Sequence, residues 1–139
     1  MSVLHWPGQW SASTGPGGAR IDIIDDTFVA APPTVLAPLL HHPANQLTWW
    51  PHLRLELIRE RGVKGAEWVV QGQIEGTMEI WLEPFWEGAV VHHYVRGLTT
   101  PGAPPDEGRR HVRRWKQAVT RLKDLLEPGA GPNASGAAQ

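Results

Sequence analysis

The stretch from Arg109 to Glu127 is the strongest helical pattern in this sequence. Val112, Trp115, Val119, Leu122 and Leu126 recur at steps of three and four, while Arg110, Arg113, Arg114, Lys116, Arg121 and Lys123 crowd the remaining positions. Pro128-Gly129 ends the pattern. A helix with one apolar stripe has to bury that stripe against another layer, and the preceding residues supply strands for it. Leu53, Leu55 and Leu57 alternate with Arg54 and Glu56. Trp68, Val70, Gly72 and Ile74 form one face of a second strand, and Gly76 is expected to turn the chain. Met78, Ile80 and Leu82 face one way from a third, which Pro84 to Gly88 closes with a turn. In Ala89 to Arg96, Val91, His93 and Val95 share one face, and Val90, His92, Tyr94 and Arg96 the other. The spacing predicts an antiparallel meander with one wet face.

Upstream, Arg20 to Ala31 is rich in β-branched residues and reads as a first strand, stopped by Pro32-Pro33. Val35 to Leu40, with Pro38 expected to break it early, and Ala44 to Trp50, ended by Pro51, read as two short helices. Leu98 to Gly108 reads as a loop. At 139 residues the chain has the size of one domain. We place that domain at 20–127, between a flexible N-terminal segment, 1–19, and a disordered tail, 128–139, where many of the glycines and prolines lie.

Thirteen Lys and Arg against fourteen Asp and Glu leave a net charge of −1, which argues against nucleic acid as a partner. With no cysteine there is no thiol chemistry, no disulfide and no cysteine-bound metal. No run approaches the roughly 18 apolar residues of a membrane span, so stable membrane insertion is not expected. The first ten residues lack a secretory pattern, so the expected location is cytoplasmic.

Strand, two short helices, meander and one long C-terminal helix make an order of elements that resembles the helix-grip architecture of the START-related superfamily (SRPBCC). That superfamily includes polyketide cyclase/dehydrase-like proteins. The resemblance is carried by Phe28-Val29-Ala30-Ala31-Pro32, by Trp49-Trp50-Pro51, by Gly76 to Pro84 with Val90 to Val95, and by Arg109 to Trp115. It covers about Arg20 to Glu127. It implies an α+β fold, with a curved antiparallel sheet of about five or six strands around the long helix and two short helices after the first strand. It also implies an elongated cavity for a lipid, polyketide or aromatic compound between sheet and helix, without a cofactor.

The alternation supplies walls for such a cavity. From the sheet these are Trp68, Val70, Met78, Ile80 and Leu82, then Val91, His93 and Val95, with Gly72 leaving space on the same face. From the helix they are Trp115 and Val119, while Leu39, Leu40 and Trp49 could form a lid, with Trp49 or Trp50 over the mouth. The competing reading is that these side chains fill one another's space. A dry void of roughly 300 Å³ would cost roughly 7 kcal/mol, so an evolved cavity should be partly polar or occupied.

His93 is the best polar candidate, either as a ligand anchor or acid/base catalyst, or as a buried ring bonded to a backbone carbonyl. His111, one turn before Trp115, either reaches the same cavity or is solvated at the basic helix start. No metal site is expected, because His92 and His93 point to opposite faces and no His-x-x-x-His spacing occurs. Every serine (Ser2, Ser11, Ser13, Ser135) lies near an end of the chain, which argues against serine nucleophilic catalysis. Glu79 and Glu83 flank Trp81 on the outer face and read as cross-strand partners of residues such as Arg54 or Arg96. Two further readings accompany ligand binding. One is a polyketide cyclase or dehydratase using His93. The other is an interaction domain that forms a homodimer through Trp81, Trp6 and Trp10.

Overall fold

The computed structural model describes residues 18–127. The readings made for 1–17, including Trp6 and Trp10, and for 128–139 lie outside the described residues. Five strands form one antiparallel sheet: β1 (Arg20–Val29), β2 (Leu53–Glu60), β3 (Gly65–Gly72), β4 (Ile74–Phe85) and β5 (Gly88–Thr99). Their spatial order is β1-β5-β4-β3-β2, so the last strand in sequence lies beside the first. Helices α1 (Pro33–His41) and α2 (Pro43–Trp49) lead from β1 to β2, and α3 (Glu107–Leu126) follows β5. Among the described residues no helix is long and apolar enough to cross a membrane.

The strand alternation sets the layering. Ile80 pairs with His93, which pairs in turn with Asp25, so one pleated row crosses three strands on the inner face. Trp68 opposite Met78, and Leu82 opposite Val91, extend that face. Trp115, Val119 and Leu122 of α3 join these residues in a single core. The amphipathic stripe therefore packs on the concave side of the sheet.

Five sequence expectations need correction. The chain turns after Gly72 rather than at Gly76, which lies within β4 opposite Gly97. A Cβ on Gly76 would sit 1.8 Å from the Arg96 carbonyl oxygen, and one on Gly97 would sit 2.1 Å from that of Glu75. The pair admits a close approach of β4 and β5 that side chains would block. At Gly72 (φ +122) a Cβ would lie 2.3 Å from the His52 carbonyl oxygen, so the missing side chain makes room for backbone rather than for a ligand.

Leu57 keeps the face of Leu53 and Leu55, opposite Trp68, yet it is exposed, because β2 is an edge strand whose far half is uncovered. The first short helix also continues through Pro38 to His41. Finally, β5 runs on to Thr99, three residues past the expected end.

Candidate functional site

Three elements meet over the middle of the sheet, and each brings an aromatic ring. β5 contributes His93 and α3 contributes His111 and Trp115. Trp50 comes from the corner between α2 and β2, where Pro51 stops the helix. His93 Nε2 lies 2.9 Å from His111 Nε2. Trp50 is parallel to His111, with ring centroids 4.7 Å apart and 6° between the planes. It also stacks on His93 at 5.3 Å. Trp115 closes the far side, 4.4 Å from His93. Trp49 meets both Trp50 and Trp115 edge-on. All four stacked rings are essentially inaccessible to solvent.

The protonation of the pair follows from its partners. Burial pushes His93 down to about 4, against smaller opposing effects of the Glu79 carbonyl and Asp25. Burial, then His93 and Arg114, holds His111 well below the ordinary imidazole range. Both rings are therefore neutral at pH 7. His93 Nδ1 lies 3.2 Å from the Glu79 carbonyl oxygen, which can only accept, so Nδ1 carries the proton. His93 Nε2 is then the acceptor and His111 Nε2–H the donor. That leaves His111 Nδ1 as a bare lone pair, buried and without a partner.

Trp50 Nε1, Glu107 Oε1 and His41 Nε2 are likewise buried and unpartnered. Glu107 stands one turn before His111 on the same face of α3, and burial raises its carboxyl above the ordinary range despite Arg114, Arg110 and His52. Asp25 anchors the other end of the stack. It accepts hydrogen bonds from Trp115 Nε1 at 2.8 Å and Thr27 Oγ1 at 2.9 Å, and it pairs with Lys116.

The sequence-derived wall residues Trp68, Val70, Met78, Ile80, Leu82, Val91, Val95 and Val119 all lie in the core with Trp115. Only His93, His111 and Trp115 of that set enter the ring stack. Gly72 sits apart at the end of β3. Of the two readings of His111, the structure selects the buried one.

Sequence reasoning missed Asp25 and Glu107. Asp25 is in phase with Ile21, Ile23 and Val29 on β1, and that phase was its signal. Glu107 is in phase with His111 and Trp115, but it precedes the point where the apolar pattern starts. On the outer face, Glu79 accepts from Trp81 Nε1. Glu83 and Asp26 both hold His92, and Arg96 pairs with Asp22, so the expected arginine partners of the two glutamates are replaced.

A five-stranded curved antiparallel sheet gripping a long C-terminal helix defines an α+β helix-grip fold. Solved structures bear this out at the level of the fold. The Mll3558 protein from Rhizobium loti superposes with a TM-score of 0.62 at 10% identity, covering 78% of this chain and 99% of that one. The Aha1 dimer from Colwellia psychrerythraea gives 0.57 at 15% identity, covering 80% and 99%. DynU16, a putative protein in the dynemicin biosynthetic locus, gives 0.52 at 17% identity, covering 78% of this chain and 48% of its own. No known family profile matches the sequence, and no curated protein does.

Proposed function

We propose that this chain is a helix-grip domain of the SRPBCC type that binds a flat, apolar small molecule between the sheet and α3. In this reading Trp50 closes the site, and the ligand takes the place of its indole. The observation that carries it is the placement of Trp50. The ring arrives from a helix–strand corner rather than from the sheet or α3, and it is held by stacking while its Nε1–H makes no hydrogen bond. A buried donor or acceptor without a partner costs about 1–3 kcal/mol. The closed stack leaves two such groups, Trp50 Nε1 and His111 Nδ1, so its packing works against unmade hydrogen bonds. An aromatic ligand bearing one hydroxyl would keep the stacking and donate to His111 Nδ1. A depression of about 220 Å³ beside Trp49, Pro51 and Arg114 gives the approach to that corner. The fold shared with a protein of a biosynthetic locus is in keeping with such a ligand.

Titration of wild type and Trp50→Ala with 2-naphthol and with naphthalene, followed by calorimetry, tests this reading. Removing the indole should tighten 2-naphthol binding about tenfold, because the competent state no longer has to be opened. His111→Phe should abolish the preference for the hydroxyl. If neither protein takes up either compound, the reading fails. It fails equally if both bind alike and regardless of His111.

A second reading is an acid/base enzyme of the cyclase or dehydratase type on the same cavity. It is favoured by one observation, the neutral His93–His111 pair beside a carboxyl raised by burial. Turnover of a polyketide-like substrate that survives His93→Ala would exclude His93 from that role.

A further inference from the structure

The edge of the sheet next to α3 carries a different possibility. Among the described residues β1 is the terminal strand, so one side of its ten-residue backbone pairs with no other described strand. Beside it a shallow groove of about 590 Å³ runs between β1 and the first turns of α3. Its floor is Ile21, Ile23 and Val112, and Arg20, Arg109 and Arg113 stand around it. Among the described residues none of these three arginines is paired with a carboxylate. The acidic residue at the rim, Asp22, is already engaged by Arg96 at 3.7 Å. On the opposite face of the same strand Ile24 is 64% exposed and Phe28 is 39% exposed.

We propose that this edge takes up an extended acidic peptide as a sixth strand. An added strand places alternate side chains on the two faces of the sheet. One set would drop onto Ile21, Ile23 and Val112, and carboxylates in that set would meet Arg109 and Arg113. The other set would be apolar and cover Ile24 and Phe28. A long edge with apolar positions on both faces is a template for strand addition, which proteins ordinarily blunt. Charge selects against a second copy of this chain: two β1 edges joined about a two-fold axis would bring the Arg109 and Arg113 of both copies to the same side of the joined sheet. The proposal is independent of the ligand site under Trp50.

The test uses the blocked peptide Thr-Glu-Val-Leu-Val-Glu-Val-Thr, labelled for fluorescence anisotropy, and the same peptide with Lys in place of both Glu. The full chain should prefer the acidic peptide by about tenfold at low salt, with the preference shrinking as salt is raised. Arg109→Glu with Arg113→Glu should reverse that preference, and Ile24→Lys should weaken both peptides. The changed side chains are exposed, and circular dichroism checks that the variants remain folded. Amide exchange of the wild type gives a readout without any variant: peptide should slow exchange along β1 and leave β2 unchanged. Equal binding of the two peptides, no binding up to roughly 1 mM, or protection on β2 instead would overturn the proposal. So would light scattering that shows a dimer dissolved by Ile24→Lys.

Discussion

His93 Nε2 and His111 Nε2 approach to 2.9 Å across the gap between the sheet and the C-terminal helix. With His93 Nδ1–H given to the Glu79 carbonyl, the contact is a single hydrogen bond between two neutral rings. It ties α3 to the middle of β5, and it is lost once His93 takes a second proton on Nε2.

Acid should therefore loosen this protein before it titrates most carboxylates. Both histidines have folded values below the ordinary 6.5, His93 at about 4. Between those values the unfolded chain binds more protons than the folded one, so stability rises with pH in that window. The contribution is complete above about pH 6.5 and fades as pH falls towards 4, by on the order of 3 kcal/mol for His93. His92 has the opposite sign. Its partial burial disfavours the charged ring, but Asp26 and Glu83 outweigh that and raise it, so its stabilisation is present at low pH and is lost as pH rises past its folded value. Urea midpoints from pH 4.5 to 7.5 should climb in wild type and climb more steeply in His92→Gln. A flat profile would mean that folding does not lower the two imidazoles.

The two histidines should also be energetically coupled. His93→Phe or His111→Phe alone strands a buried partner and should cost about 2 kcal/mol. Changing both keeps the ring stack with Trp50 and Trp115 and removes both polar groups. The double variant should then recover about 1 kcal/mol relative to the sum of the singles. Strict additivity in a urea-unfolding cycle would show that the contact carries no net energy.

The sheet and the long helix were legible because their signals are local. Alternation assigned Trp68, Val70, Met78, His93 and Val95 to the inner face, and a step of four placed His111 with Trp115. Turn positions were less legible. Gly76 and Gly97 look like punctuation in sequence, yet they face each other inside a hairpin because two backbones approach closely there. Trp50 was legible only as an alternative to Trp49 at the mouth of the site. Its neighbour Trp49 has the same chemistry, and only the close of α2 before Pro51 decides which indole turns inward. The unpartnered lone pair of His111 had no local signal at all, since it depends on the Glu79 carbonyl fixing the tautomer of a third residue.

Asp25 should matter more than a polar residue on an edge strand usually does. Burial alone would raise its carboxyl, but hydrogen bonds from Lys116, Trp115 and Thr27 lower it below 3.8. Asp25→Asn should cost about 2 kcal/mol at pH 7 through the weakened bond to Trp115 and the lost charge opposite Lys116. The contribution is present above pH 3.8 and is lost as pH falls through the lowered folded value. The urea midpoints of wild type and variant should therefore draw together as pH falls below that lowered value. A gap that persists there would assign the loss to packing.

The β4–β5 hairpin offers two glycine exchanges of opposite sign. Gly76→Ala puts a methyl 1.8 Å from the Arg96 carbonyl oxygen and should cost about 3 kcal/mol, since backbone on both sides has to move. At the tip, Trp86 has φ 55 and is 90% exposed, stacked on Phe85. A bulky residue there bears the left-handed conformation that glycine adopts freely. Trp86→Gly should thus stabilise by about 0.5–1 kcal/mol, provided that relief of strain exceeds the lost Phe85 contact. Thermal unfolding of the two variants decides both points. A stable Gly76→Ala would show that β4 and β5 can part at that pair, and a destabilised Trp86→Gly would show that the exposed stack contributes more than the turn costs.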